Sequence, residues 1–406
     1  MPRVTSTDLI HHAYEAPGGF RSVVPGIHKA STVIFEDTAA LQARQWKDKS
    51  GYTYGLHGTP STFILEERLA TLDGGLQCLL APSGLAAIAL VGLSLLRSGD
   101  EVLIPDNAYG PNKDFARVEL AQWGITHRFY DPLDAEALAG LITECTRLLW
   151  LEAAGSVTLE FPDLTGLLAV ARQHPDLVVA LDNTWGAGLA FDPFALTDTA
   201  AAPDASSQAV DISVHALTKY PSGGGDVLMG SVVTRNEALH LKLKMTHMRL
   251  GLGVGANDVE AILRGLPSMP LRYAAHDAAT RRIAQWCAQR AEPSQVLHPA
   301  LPGSPGHAFW ARTCRAAGGL VSLVFDGDRF TAERVNAFVD ALNLFKIGYS
   351  WGGPMSLAVP YALRGMRQHG AFAATGQGGA LVRLAIGLEE PDDLIDDLNR
   401  AFKTLG

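Results

Sequence analysis

The sequence predicts an α/β protein with a mostly parallel central sheet, a smaller α+β C-terminal domain and an N-terminal arm. Three observations carry this. Short apolar runs recur at 78–81, 101–104, 148–151, 177–181, 212–214 and 227–233, with helix-like stretches between several of them, notably 85–96 and 134–141. Strands alternating with helices imply a parallel sheet covered on both faces. The texture changes after about residue 245, and residues 1–58 show little helical or strand periodicity. The expected division is an arm at 1–58, a central domain at 59–245 and a C-terminal domain at 246–406.

The first helix is marked at both ends. Thr59 can cap its N-terminus and Pro60 suits its first position. Leu65, Leu69 and Leu72 share one face, and Gly74-Gly75 stops it. In the C-terminal part, the glycine-rich stretch 251–255 leads into a long helical pattern over 256–290. Loops rich in proline follow at 299–305, then a strand at 320–325, a helix near 332–343, a strand at 381–386 and a final helix from Pro391. No internal repeat or low-complexity segment is visible.

Composition excludes several classes. The 406 residues are 47% hydrophobic, ample for a large core. Lys and Arg number 33 against 42 Asp and Glu, a net charge of −9. An acidic chain without a basic block repels nucleic acid phosphates, so no nucleic acid partner is expected. The longest apolar run, 85–96, is too short to span a membrane. The first nine residues are polar and unlike a signal peptide. Cys78, Cys145, Cys287 and Cys314 are too few and too scattered for a disulfide scaffold, which points to a reducing, cytoplasmic setting.

In parallel sheets, ligands bind beyond the carboxyl ends of the strands. Four such ends carry unusual groups. At Pro82-Ser83-Gly84-Leu85 a strand turns directly into a helix, whose free N–H groups can hold an anion; an ordinary tight turn is the plain alternative. Asp182, in Asp182-Asn183-Thr184-Trp185, ends a buried run and needs a cation or good donors; helix capping is its plain alternative. Lys219, in Thr218-Lys219-Tyr220, sits where a buried amine has a lowered pKa and can form an imine, although most lysines beside glycine-rich loops are solvated. Tyr109, after Asn107-Ala108, can stack on a planar ring or merely cover the sheet edge. Together, a lysine, an acid, an anion cradle and an aromatic face match one cofactor, pyridoxal 5′-phosphate (PLP). The G-x-G-x-x-G and G-x-x-x-x-G-K-[ST] patterns are absent. No histidine or cysteine spacing suits a metal; His11-His12 lies in the arm.

These residues, with Tyr54-Gly55-Leu56-His57-Gly58-Thr59 and Tyr349-Ser350-Trp351-Gly352-Gly353, resemble the Cys/Met-metabolism PLP enzymes from about residue 30 to the C-terminus. The resemblance implies a PLP-dependent transferase-like fold (fold type I) with 59–245 as its PLP-binding domain. It also implies a homotetramer of two dimers that share active sites. Lys219 then carries the cofactor and shuttles the proton, Asp182 pairs with the pyridinium nitrogen, and Tyr109 stacks on the ring. Ser83, Gly84, Leu85 and Thr218 hold the phosphate, reached by Tyr54 from the neighbouring subunit. Arg383 clamps the substrate carboxylate, and Tyr349, Ser350 and Trp351 line the substrate pocket. The Ser-Trp-Gly-Gly segment is similar to that of the branch that eliminates homocysteine from L-cystathionine, leaving pyruvate and ammonia. The substrate expected is thus a small amino acid. Cystathionine γ-synthesis or γ-elimination, O-acyl-homoserine sulfhydrylation and a non-catalytic regulatory role are the alternatives. Three departures stand out. Leu56 occupies the place of a family arginine that grips the phosphate, Pro354-Met355 replaces an expected acidic residue, and Gly223–Gly225 replaces a bulkier sequence.

Overall fold

The apolar runs become a seven-stranded sheet in the computed structural model, which describes residues 6–11, 22–196, 208–370, 372–373 and 379–406. Its strands are β1 (Gln77–Ala81), β2 (Glu101–Pro105), β3 (Thr126–Tyr130), β4 (Thr146–Glu152), β5 (Val178–Asp182), β6 (Ile212–Ala216) and β7 (Gly230–Thr234). They lie in the order β1-β7-β6-β5-β4-β2-β3. Only β7 runs antiparallel to its neighbours. The continuous apolar runs follow from burial on both faces. Leu149 and Leu151 pack into one core, while Leu148 and Trp150 of the same strand pack into the other.

The predicted first helix forms over Pro60–Asp73, with a Thr59–Thr62 capping box and Gly74 in the left-handed conformation at its end. Such a cap is worth about 1 kcal/mol. Three sequence expectations need correction. Residues 227–229 precede the last strand of the sheet rather than belonging to it. β3 was not anticipated, because its Thr-His-Arg-Phe-Tyr run is a half-exposed edge strand without an apolar stripe. The pattern over 256–290 is not one helix but Ala256–Gly265, a 3-10 turn at Leu266–Ser268 and Met269–Cys287. Pro267 and Pro270 lack the N–H groups needed to run through. A Cβ on Gly265 would sit 2.3 Å from the Pro221 carbonyl oxygen.

The C-terminal part forms a five-stranded sheet from β8 (Gln295–Leu297), β9 (Leu320–Phe325), β10 (Lys346–Ile347), β11 (Leu357–Ala362) and β12 (Ala380–Ala385). Their order is β10-β11-β12-β9-β8. Helices Ala332–Asp340 and Pro391–Phe402 bury its apolar side chains. The helix Met269–Cys287 belongs to both cores: Met269 and Tyr273 pack into the first, Ile283 and Cys287 into the second. Residue 245 lies inside the helix Glu237–Leu250. No described helix is long and apolar enough to cross a membrane.

Candidate active site

The parallel strands bring their carboxyl ends to one edge. Glu152, the last residue of β4, is the register partner of Asp182 at the end of β5, and Asp182 pairs in turn with Val214 of β6. Beyond β6 the chain turns sharply at Leu217–Ser222, placing Lys219 over the same edge. Opposite, Ser83 caps the helix Gly84–Leu95 by accepting the Ala86 N–H at 3.0 Å. A Cβ on Gly84 would lie 2.6 Å from the Ala216 Cβ, so the helix N-terminus reaches the end of β6 only because residue 84 is glycine.

A cavity of about 770 Å³ opens at this edge. Of the site residues expected from the sequence, all but Tyr54 line it. Ser83, Gly84, Leu85 and Thr218 are among its lining residues. Arg383, 7% exposed on the central strand β12 of the second sheet, enters from the C-terminal part, and its Nε has no hydrogen-bond partner. The Lys219 Nζ donates to Ser350 Oγ at 3.1 Å and lies 5.4 Å from the Trp351 ring centroid. This contact depends on a close fit behind it. Tyr220 meets Trp351 edge-on, and a Cβ on Gly352 would fall 2.9 Å from the Tyr220 backbone nitrogen.

Burial and the nearby Arg383 guanidinium lower the Lys219 amine to about 8, against the opposing pull of Asp182. Burial pushes the Asp182 carboxyl up, opposed by the hydroxyl and N–H of Thr184. Thr184 also accepts the Ala216 N–H at 2.9 Å, tying the ends of β5 and β6 together.

Tyr54 lies elsewhere, 45% exposed on the arm, where its hydroxyl accepts from Ser31 Oγ at 3.4 Å. Leu56 is also outside the cavity. It lines a separate small pocket with Trp46, His57 and Lys244, packed toward Gly253. Sequence reasoning missed Glu152. This carboxylate accepts the Tyr109 backbone N–H at 2.7 Å and so orients the residue expected to stack. Burial, then neighbouring Asp182, push it well above the usual carboxylate range. Its signal was available, since it ends an apolar strand just as Asp182 does. Arg367 and Lys113, which also line the cavity, and Asp106, paired with Lys113, were missed too.

The residues fit PLP. The glycine-built helix terminus suits a phosphate, the buried Asp182 carboxyl calls for a cationic partner, and Lys219 is an amine with a depressed pKa. The chain also matches the profile described as Cys/Met metabolism PLP-dependent enzyme over residues 6–403. It is 39% identical to the cystathionine beta-lyase of Bordetella avium, across 97% of this chain and 96% of that protein. It is 33% identical to the cystathionine beta-lyase of Escherichia coli, across 93% and 92%. Among solved structures, the cystathionine gamma synthase of Xanthomonas oryzae pv. oryzae, in complex with aminoacrylate and cysteine, superposes with a TM-score of 0.86. That alignment has 28% identity and covers 100% of this chain and 99% of the other.

Fold and site define a PLP-dependent enzyme of fold type I. The likeness along nearly the whole sequence narrows this: the chain belongs to the Cys/Met metabolism PLP-dependent enzyme family.

Proposed function

We propose that the protein is a carbon–sulfur lyase that cleaves L-cystathionine by β-elimination. With one water, the products are homocysteine, pyruvate and ammonia. The observation that carries this reading is the grouping of the Lys219 amine, the Arg383 guanidinium and the Ser350-Trp351 wall in one cavity. The relatives named cystathionine beta-lyase support the choice of reaction.

Lys219 would hold the cofactor through its amine, and the same amine is the group placed to take the proton from the substrate Cα. An amine that titrates at about 8 is close to balanced between holding and giving up a proton near neutral pH. Bound PLP supplies the electron sink that makes this proton acidic. Asp182 would be the carboxyl partner of the cofactor's ring nitrogen. Glu152 holds the Tyr109 backbone, and the Tyr109 ring would lie against the cofactor. Arg383 grips the α-carboxylate with its planar fork and turns the Cα–H bond toward Lys219. The departing sulfur leaves from Cβ as a thiolate and takes up a proton. Trp351 and Tyr349 bound the space into which it leaves.

Ser83, Gly84, Leu85 and Thr218 hold the phosphate, and Tyr54 reaches it from a second copy of the chain, in a homotetramer built as two such dimers. The setting we propose is the cytoplasm, with neither nucleic acid nor membrane as partner.

The test is product analysis with L-cystathionine. Pyruvate and homocysteine are expected. Mostly 2-oxobutyrate and cysteine would replace the β-lyase reading with γ-elimination while leaving the cofactor intact. Arg383→Ala is expected to lose kcat/KM for every amino acid. Trp351→Ala is expected to blur substrate choice with the cofactor spectrum unchanged.

A further inference from the structure

The inner groups of the cavity recognise what all amino acids share: an amine, a Cα–H and a carboxylate. Selection among thioethers must come from the wall that faces the chain beyond Cβ. Part of that wall is a loop of the C-terminal part, residues 363–370, in which Gly365, Met366 and Arg367 line the cavity. Leu363, Met366 and Phe372 anchor the segment in a small apolar cluster, but Gln368, His369 and Gly370 between them are exposed, so apolar packing does not hold the tip of the loop.

Two polar ties fix that tip. Asp106, just past β2 and 1% exposed, accepts from Lys113 Nζ at 2.7 Å through one carboxylate oxygen. Its other oxygen accepts the backbone N–H of Gln368 and, at 2.9 Å, that of His369. Lys113 adds a bond to the Asp106 carbonyl at 2.8 Å and lies over the Phe129 ring at 4.8 Å. The second tie is Arg367, 9% exposed, which donates to the Ser156 carbonyl at 2.6 Å and to Thr158 Oγ1 at 2.5 Å, with Glu160 3.8 Å away. Ser156 itself lines the cavity. A buried ion pair adds little net stability over apolar packing of equal volume, but it can fix geometry. Here the geometry fixed is the distance between the loop and the strand end that leads into Tyr109.

We propose that Asp106 is a positioning residue for substrate selection: with Lys113 and Arg367 it clasps the 363–370 loop onto the cofactor-binding sheet, and so sets the wall that discriminates long β-thioether amino acids from short ones. The thioether class rests on the function proposed above; the clasp does not.

The test compares L-cystathionine with S-methyl-L-cysteine, and S-benzyl- with S-methyl-L-cysteine, in the PLP-loaded enzyme. Asp106→Ala/Lys113→Met removes the clasp without stranding a buried ammonium. The ratio of kcat/KM for long over short substrate is expected to fall about tenfold, through KM for the long one. The kcat for S-methyl-L-cysteine and the cofactor absorbance stay near wild type. Hydrogen exchange should show the Gln368 and His369 amides losing protection. If the double variant does not fold, Arg367→Met reads the same wall from its second tie. An unchanged ratio, or an equal fall for both substrates with loss of cofactor, overturns the proposal. A wild type that leaves cystathionine intact defeats the proposed function, while the S-benzyl pair and the exchange measurement still decide the clasp.

Discussion

Lys219 has a depressed amine, and its pH behaviour follows. Only the uncharged amine attacks a carbonyl. Capture of PLP by the apoprotein, trapped with borohydride, should therefore accelerate as pH rises through about 8 and level off above it. Peptide mapping should find the label on Lys219; a label elsewhere would remove it from the site. The same shift has a stability consequence. Between about 8 and the ordinary value of 10.5, the unfolded chain holds a proton on this amine that the folded apoprotein does not. This group therefore makes the apoprotein more stable as pH rises across that window. Lys219→Ala should retain PLP only loosely and lose turnover. Leu56 offers a second test. With the arm reaching a second copy's cavity, as proposed for Tyr54, an arginine at 56 would add a charge-assisted phosphate contact worth about 1.5–3 kcal/mol. Leu56→Arg is expected to tighten PLP binding, read by cofactor dissociation. An unchanged dissociation constant would mean that other groups already compensate.

At the level of elements, the junction between β1 and the helix Gly84–Leu95 concentrates the constraints. The Gly84 Cα approaches Ala216, and a Cβ on Gly230 would fall 2.4 Å from the Ser83 carbonyl oxygen. Gly84→Ala should therefore push the helix start away from β6. The expected result is weaker PLP binding and a loss of about 1–3 kcal/mol of stability, measured by cofactor titration and denaturant unfolding. Normal cofactor affinity in that variant would show that the helix terminus is not the phosphate cradle. The sequence marked elements well where caps and buried runs coincide, as at Pro60–Asp73 and β5. It failed where the local signal is weak. β3 has half its surface in water and no apolar stripe. The helix Glu237–Leu250 is half polar, and its markers, Asn236 at the start and Gly251 at the end, are short-range only.

For the whole molecule, the position of Tyr54 outside its own cavity leads to a complementation experiment. If the tyrosine completes a partner's site, Lys219→Ala and Tyr54→Ala are each impaired, but hybrids of the two carry one intact site. Random reassociation of equal amounts should recover about a quarter of the wild-type sites. No recovery after verified subunit exchange would place Tyr54 outside the chemistry. What the sequence determined by itself is the chemistry of the strand ends. A parallel sheet must send its carboxyl ends to one edge, so Asp182, Lys219 and the Ser83-Gly84-Leu85 turn converge whatever the details. The family resemblance added Arg383 and the Ser350-Trp351 segment. Only the tertiary structure decided which groups from distant loops complete the cavity. Glu152 supports Tyr109 because β4 lies beside β2, and Asp106 reaches the Gln368 and His369 amides because the C-terminal part folds back over the sheet. Such contacts join residues far apart in the chain through packing between layers, and no local periodicity or spacing encodes them.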